Sequence, residues 1–297
     1  MNYDVIGMYE AGFVAQAKNH AAREVSKLHV LRGGSVGCVT APGECIGNPQ
    51  EALARYMGYE LPKDPISNFY FAAGFANEEI WQKNLRDSGQ KILTDAEDKI
   101  ETTIAGYKWS GSPDIRLLDG DGRPYLGIEL KAVCSSSTAS DIFIYDKPKT
   151  KHVAQAAIYS YMLDIPYKLV YTSYGVYYPY SAVSRETKVW KVEPGIREYD
   201  IDAPKNGPIR VRISGRWEDT VLSVQGILDY YKAVGDMFTN KNLDTLQPRN
   251  LDIFGKSAAY KGKDELHYDE FYQKIGVPDS WDTFIRRLDT HCNRIGT

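Results

Sequence analysis

Apolar positions recur every three to four residues in some stretches of the chain and every second residue in others. Residues 8–31, "MYEAGFVAQAKNHAAREVSKLHVL", follow a spacing near 3.6 and are rich in Ala, Glu and Lys, which predicts a helix ended by Gly33 and Gly34. "NPQEALARYMGY" opens with Asn48 as a cap and Pro49 in the first turn, a second helix start. Residues 65–89 predict a longer helix closing at Gly89, and "KPKTKHVAQAAIYSYMLDI" a further one. "EDTVLSVQGILDYYKAVGDMF" has the pattern of an amphipathic helix. Between these, "KILTDAEDKIETTIAGYKWSG" reads as a short strand, a turn and a Thr- and Ile-rich strand. "GSPDIRLLDGDGRPYLGIELKAV" (residues 111–133) reads as a hairpin, "CSSSTAS" as a polar loop and "YKLVYTSYG" as a strand. Val, Ile and Arg alternate over residues 177–217, which predicts more strands, and the part after Thr239 is charged and weakly patterned. The middle therefore runs helix, three strands, helix, strand. That order predicts an α/β fold with a mixed central sheet flanked by helices, plus N-terminal helices and a C-terminal elaboration.

Composition narrows the class. A length of 297 residues suits one large domain or a core with an appendage, and 43% hydrophobic with 25% charged residues supports a packed core. The formal net charge is -3, so nucleic-acid binding would need a local basic patch. Cys38, Cys45, Cys134 and Cys292 are scattered without a C-x-x-C pair, which suggests free thiols in a reducing compartment. "MNYDVIGMYEAG" lacks the apolar run of a secretory signal, and no stretch approaches a membrane span. A soluble, cytoplasmic protein without a membrane partner is expected. The chain holds 22 tyrosines, several in "YTSYGVYYPYSAV". Sheet packing is the simpler reading of that run, and base stacking is the alternative.

The hairpin raises a chemical question. Two turns fit it, Asp119-Gly120 and Asp121-Gly122. With the second as a two-residue turn, Gly120 faces Arg123 and Asp114 falls opposite Glu129. With the first, Asp114 pairs with Tyr125. In the former register Asp114, Glu129 and Lys131 share one face, and Ile115, Leu117, Leu126, Ile128 and Leu130 share the other. Facing carboxylates across a strand pair repel. A hard cation such as Mg²⁺ would turn that repulsion into coordination, with Lys131 placed to orient a water. The alternative is a solvated face with an ordinary Glu–Lys pair.

Pro113-Asp114 and Glu129-Leu130-Lys131, in that order of elements, resemble the PD-(D/E)XK nuclease superfamily and its restriction-endonuclease-like core. "QAAIY" places Gln155 and Tyr159 four apart on one helix face, with Lys151 a turn earlier. This is similar to the QxxxY motif of the RecB-like and Cas4-like branch. A polar helix edge with Tyr159 in the core is the alternative. "GFANEE" sets Glu78 four residues after Gly74, which resembles lambda-exonuclease-like members that carry an acidic residue there. An exposed helix Glu beside Glu79 is the alternative. The resemblance covers roughly residues 35–174 and divides the chain into an N-terminal helical segment (1–66), a nuclease core (67–176) and a C-terminal elaboration packed on the core (177–297).

The resemblance implies Mg²⁺ or Mn²⁺ held by Asp114 and Glu129, with the Leu130 carbonyl as a further ligand and Glu78 aiding that ion or a second one. It implies a water oriented by Lys131, support from Gln155 and Tyr159, and a 5′-phosphate product. Arg55 is the residue it marks for a DNA-end phosphate. Lys147, Lys149 and Lys151 in "KPKTKH" are the first candidates for a basic rim, and "IRVRISGR" the second. Some members hold an iron–sulfur cluster through one N-terminal and three clustered C-terminal cysteines. The scattered cysteines here do not match that spacing, so no iron–sulfur cluster is expected. The implied activity is a DNA exonuclease of phage-type recombination, repair or DNA degradation. The implied partners are DNA, further copies of the chain, or a single-strand annealing recombination protein. In a phage-encoded protein the location would be the host cytoplasm. The alternatives are a structure-specific or single-strand endonuclease on the same core and a non-catalytic DNA-binding protein that retains the fold.

Overall fold

The computed structural model describes residues 28–62, 65–94, 99–178, 190–192, 194–243, 246–256 and 270–294. The helix expected over residues 8–31 lies mostly outside the described residues. Its last positions are not helical: His29 takes φ +57°, and Leu31–Arg32 form a short strand. Of the tyrosine-rich run, Tyr171 is buried and Tyr174 exposed, while residues 179–183 also lie outside the described residues.

Helix α1 spans Pro49–Tyr56. It starts where the sequence signals, with the Asn48 side chain accepting the Glu51 N–H at 2.9 Å and Pro49 in the first turn. Helix α2 spans Pro65–Asp87 and is closed by Gly89 at φ +84°. Strands β1 (Lys91–Thr94), β2 (Ile100–Ile104), β3 (Tyr107–Gly111), β4 (Ile115–Leu118) and β5 (Pro124–Val133) follow. Helix α3 (Thr150–Leu163) then leads to β6 (Tyr167–Ser173), β7 (Gly195–Asp202), β8 (Pro208–Ile213), β9 (Arg216–Ser223) and helix α4 (Val224–Asn240). Helices α5 (Glu270–Ile275) and α6 (Trp281–His291) occupy the weakly patterned end, and bury Phe271, Phe284 and Leu288.

The main sheet has the order β9-β8-β7-β6-β5-β4-β1. Only β5 and β6 pair in parallel, which is why a helix, α3, must connect them. The architecture is the expected mixed α/β sheet flanked by helices. Its three strands before α3 are β1, β4 and β5. The Thr- and Ile-rich strand is β2, which pairs with β3 in a separate three-stranded sheet closed by Leu31–Arg32. Two more expectations are corrected. The predicted amphipathic helix begins only at Val224, because Arg216–Ser223 pair with β8 and Ser223 caps the helix by accepting the Gly226 N–H at 3.0 Å. The polar loop after Cys134 is helical, Ser136–Ala139 and then a wide turn over Ser140–Ile144. Among the described residues no helix is long and apolar enough to cross a membrane.

The β4–β5 hairpin pairs Ile115 with Ile128, Arg116 with Gly127 and Leu117 with Leu126. Its turn is not the two-residue turn expected at Asp121-Gly122. Gly122 (φ +81°) donates to the Asp119 carbonyl at 3.1 Å, and Asp119 donates to the Arg123 carbonyl at 2.9 Å, giving a three-residue loop. The Asp119 carboxylate favours that loop by accepting the N–H groups of Asp121 and Arg123, both at 2.9 Å. A register shift between Leu117 and Leu118 absorbs the difference, so the residues beyond it keep the spacing that sets Asp114 opposite Glu129. One sheet face then buries Ile115, Leu117, Ile128, Leu130 and Val170 beneath Trp81 and Leu85 of α2. The other face meets α3 and the larger core.

Gly127 shows how tightly that second face is packed. It pairs with Tyr167 of β6, and a Cβ at Gly127 would lie 1.9 Å from a Tyr167 ring carbon. Gly127→Ala is expected to lower the unfolding free energy by about 2–4 kcal/mol, since neither strand can yield without losing its register. Denaturant titration measures this, and an unchanged midpoint would count against the packing described.

Candidate metal centre

Asp114 follows Pro113 and directly precedes β4. Its carboxylate accepts the Leu130 N–H at 2.7 Å, which fixes it across the hairpin beside Glu129. Glu129 is fully buried on β5. Its Oε1 accepts from the Lys131 ammonium, and its Oε2 has no hydrogen-bond partner. Burial first, and then the negative charge of Asp114, push the Glu129 carboxyl up to about 8, with Lys131 opposing and Glu78 adding to the rise. Burial alone would lower the Lys131 pKa, but the charges of Glu129 and Asp114 outweigh it and hold the ammonium above its ordinary value.

Glu78 is half-buried on α2, and both Glu129 and Lys131 feel its charge. Two bonds set this helix on the sheet. Trp81 Nε1 donates to Thr172 Oγ1 at 2.9 Å, and the Tyr174 hydroxyl donates to Asn77 Oδ1 at 3.0 Å. Gly74, a turn before Glu78, has nothing within 4 Å of where a Cβ would stand, so no close approach requires glycine there.

Among the described residues no three acidic, histidine or cysteine side chains are already gathered into a metal cage. The donors still suit a hard divalent cation. Glu129 offers an unpartnered buried oxygen, and burial and then the Asp114 charge raise its proton affinity, so a cation there would meet a carboxylate crowded by another. Leu130 directly follows Glu129, and its backbone already meets Asp114 through its N–H.

Tyr159 lies in the core. Its ring packs against Trp109 and Tyr167 at centroid distances of 6.2 and 6.1 Å, and it is wedged between Gly33 and Gly111. Gln155 hydrogen-bonds to it, and the Glu129 charge reaches it. The motif pair is thus a support beneath the sheet, with the Tyr159 ring in the core.

Arg55, Lys147, Lys149 and Lys151, separate in sequence, line one cleft of about 470 Å³ together with Arg249 and Ser35. Three carboxylates also line it, Glu51, Asp141 and Asp252, against five cations. Arg55 pairs with Glu51 at 2.8 Å, Lys147 with Asp252 and Lys149 with Asp141. In the second basic run Arg210 pairs with Asp202 and Arg212 with Asp200. Cys38 and Cys45 are buried free thiols pushed up to about 11 and 12 by burial, while Cys134 is exposed and Cys292 half-buried.

Sequence reasoning missed three residues of this region. Arg116 and Tyr167 are buried on the Asp114 face of the sheet, and His152 sits at the start of α3 among Lys131, Lys149 and Lys151. Period-two alternation from Asp114 could have flagged Arg116; nothing local marks Tyr167.

No known family profile matches the chain, and no curated protein does. Among solved structures, the crystal structure of SSO0001 is 16% identical, covering 63% of this chain and 78% of that one, with a TM-score of 0.38. An alkaline exonuclease from Laribacter hongkongensis is 14% identical, covering 57% of this chain and 78% of that one, with a TM-score of 0.33. At these scores neither likeness carries weight for function.

Proposed function

We propose that the chain is a metal-dependent DNA nuclease of the PD-(D/E)XK type, and that it acts as an exonuclease. The observation that carries this reading is Glu129: a buried carboxylate with an unpartnered oxygen, in register with Asp114 and bonded to Lys131. A structural ion pair has no need of a second carboxylate held against it. In this reading Asp114 and Glu129 hold Mg²⁺ or Mn²⁺, with the Leu130 carbonyl and Glu78 as further oxygens. The cation supplies Lewis acidity, making a water more acidic and offsetting charge on a phosphoryl group. Lys131, kept charged by its neighbours, orients the attacking water and meets the phosphate. Gln155 and Tyr159 brace β5 from beneath. The cleft with Arg55, Lys147, Lys149 and Lys151 receives the strand, Arg55 taking the phosphate at its end, and the product carries a 5′-phosphate. Residues 67–176 form the nuclease core, with 1–66 as an N-terminal segment and 177–297 as an elaboration. Partners of this reading are DNA, further copies of the chain and a single-strand annealing protein, in recombination, repair or DNA degradation in a cytoplasm.

Linear duplex, linear single strands and closed circles, incubated with Mg²⁺, Mn²⁺ or EDTA, test it. Loss of linear DNA with divalent metal and sparing of circles is expected. Cut circles would replace the exonuclease by an endonuclease on the same core. Binding without cleavage, equal in wild type and Asp114→Asn, would leave a non-catalytic DNA-binding protein. Binding is expected to weaken steeply with salt, because the cleft meets phosphates through lysine and arginine.

A further inference from the structure

We infer that His152 is a further substrate contact: an imidazole locked by Tyr171 with the proton on Nε2, whose Nε2–H donates to a phosphate oxygen beside Lys131. The identity of the ligand rests on the nuclease reading above. The tautomer follows from a chain of hydrogen bonds at the start of α3. The Lys149 backbone N–H can only donate, and it lies 3.1 Å from the Tyr171 hydroxyl oxygen. That hydroxyl, fully buried on β6, therefore accepts from the backbone and directs its single proton elsewhere. His152 Nδ1 lies 2.9 Å from it, and in the inferred arrangement this nitrogen accepts that proton. An imidazole accepting at Nδ1 carries its own hydrogen on Nε2.

The surroundings keep the ring neutral. Burial, and then the charges of Lys131, Lys151 and Lys149, hold His152 well below its ordinary value. Lys131 belongs to the candidate centre, Lys149 and Lys151 line the cleft, and the charges of all three reach His152. A phosphodiester has several acceptor oxygens and no donors. A fixed neutral donor among three cations suits that chemistry, because it adds a directed hydrogen bond without adding a fourth charge that must be desolvated. The ring is only half-buried, and its stacking on Tyr171 at 5.6 Å sets its plane.

The test uses the full chain labelled with ¹⁵N-histidine, in EDTA so that DNA stays intact. Two-bond proton–nitrogen spectra are expected to show His152 as the Nε2–H tautomer, assigned by the signal missing in His152→Gln. Adding a 5′-phosphorylated duplex oligonucleotide is expected to shift that Nε2 signal, and Tyr171→Phe to mix the tautomers. In cleavage assays His152→Leu is expected to lower kcat about 10- to 100-fold with KM little changed. His152→Gln, whose amide nitrogen can stand in for Nε2–H, is expected to stay within about fivefold of wild type. An Nδ1–H tautomer, an oligonucleotide that leaves the signal unmoved, or His152→Leu cleaving at the wild-type rate would each overturn the inference. A shifted signal in a wild-type protein that cuts nothing would uphold the phosphate contact and remove the nuclease reading.

Discussion

Asp114→Asn and Lys131→Ala are each expected to lower metal-dependent cleavage of linear duplex DNA by about a thousandfold. Asparagine is the cleaner probe at position 114. Its side-chain oxygen can still accept the Leu130 N–H, so the hairpin keeps the bond that aligns it, while the charge that would hold a cation is gone. The variant should therefore keep its fold, bind Mn²⁺ more weakly and fail to cut. Lys131→Ala acts differently. It leaves Glu129 buried without its ammonium partner, which drives that carboxyl further up and costs stability as well as rate. Single-turnover cleavage beside thermal melts separates the two effects. Full activity in Asp114→Asn would remove the candidate centre altogether.

Glu129→Gln is expected to abolish cleavage yet stabilise the metal-free protein at alkaline pH. The Glu129 carboxyl is held near 8 in the folded chain against an ordinary value of 4.5. The folded state thus binds a proton more tightly than the unfolded state. Its contribution to stability is fully present below about pH 4.5, declines as pH rises, and is gone above about 8. Glutamine has nothing to titrate, so the decline disappears. In EDTA the variant should match wild type near pH 5 and melt roughly 5 °C higher near pH 8.5. In the variant Lys131 keeps a glutamine oxygen to bond and the negative charges of Asp114 and Glu78, so its ammonium is not left without partners. Saturating divalent cation should flatten the wild-type curve in the same range. Parallel melting curves for the two proteins would mean that Glu129 is not linked to protons in this way.

The order of elements was legible because each signal was local. Asn48-Pro49 starts α1, Gly89 ends α2, and the alternation around Ile128 and Leu130 assigns one face of β5 to the core. The facing of Asp114 and Glu129 was reached from a turn that the chain does not use. A three-residue loop and a compensating shift at Leu118 give the same register for Asp114, so two departures cancelled. What escaped the sequence was non-local. The strand nature of Arg216–Ser223 depends on β8 pairing beside it. The cleft gathers Arg55 and Lys149 only once the fold brings α1 and the start of α3 to it. The Tyr171–His152 bond joins residues that no helical or strand period connects.

The two faces of the sheet are unequal, and this bears on which part of the chain opens first. Helix α2 rests on a small apolar cluster, Ile115, Leu117, Ile128, Leu130 and Val170, whereas α3 and α4 are built into the larger core. The amides of α2 should exchange with deuterium through local opening, ahead of those in α3 and β6. Glu78 would swing away with that opening while Asp114 and Glu129 stay on the hairpin. The third carboxylate would thereby come and go as a unit separate from the other two, and a ligand that needs all three would slow exchange along the whole of α2.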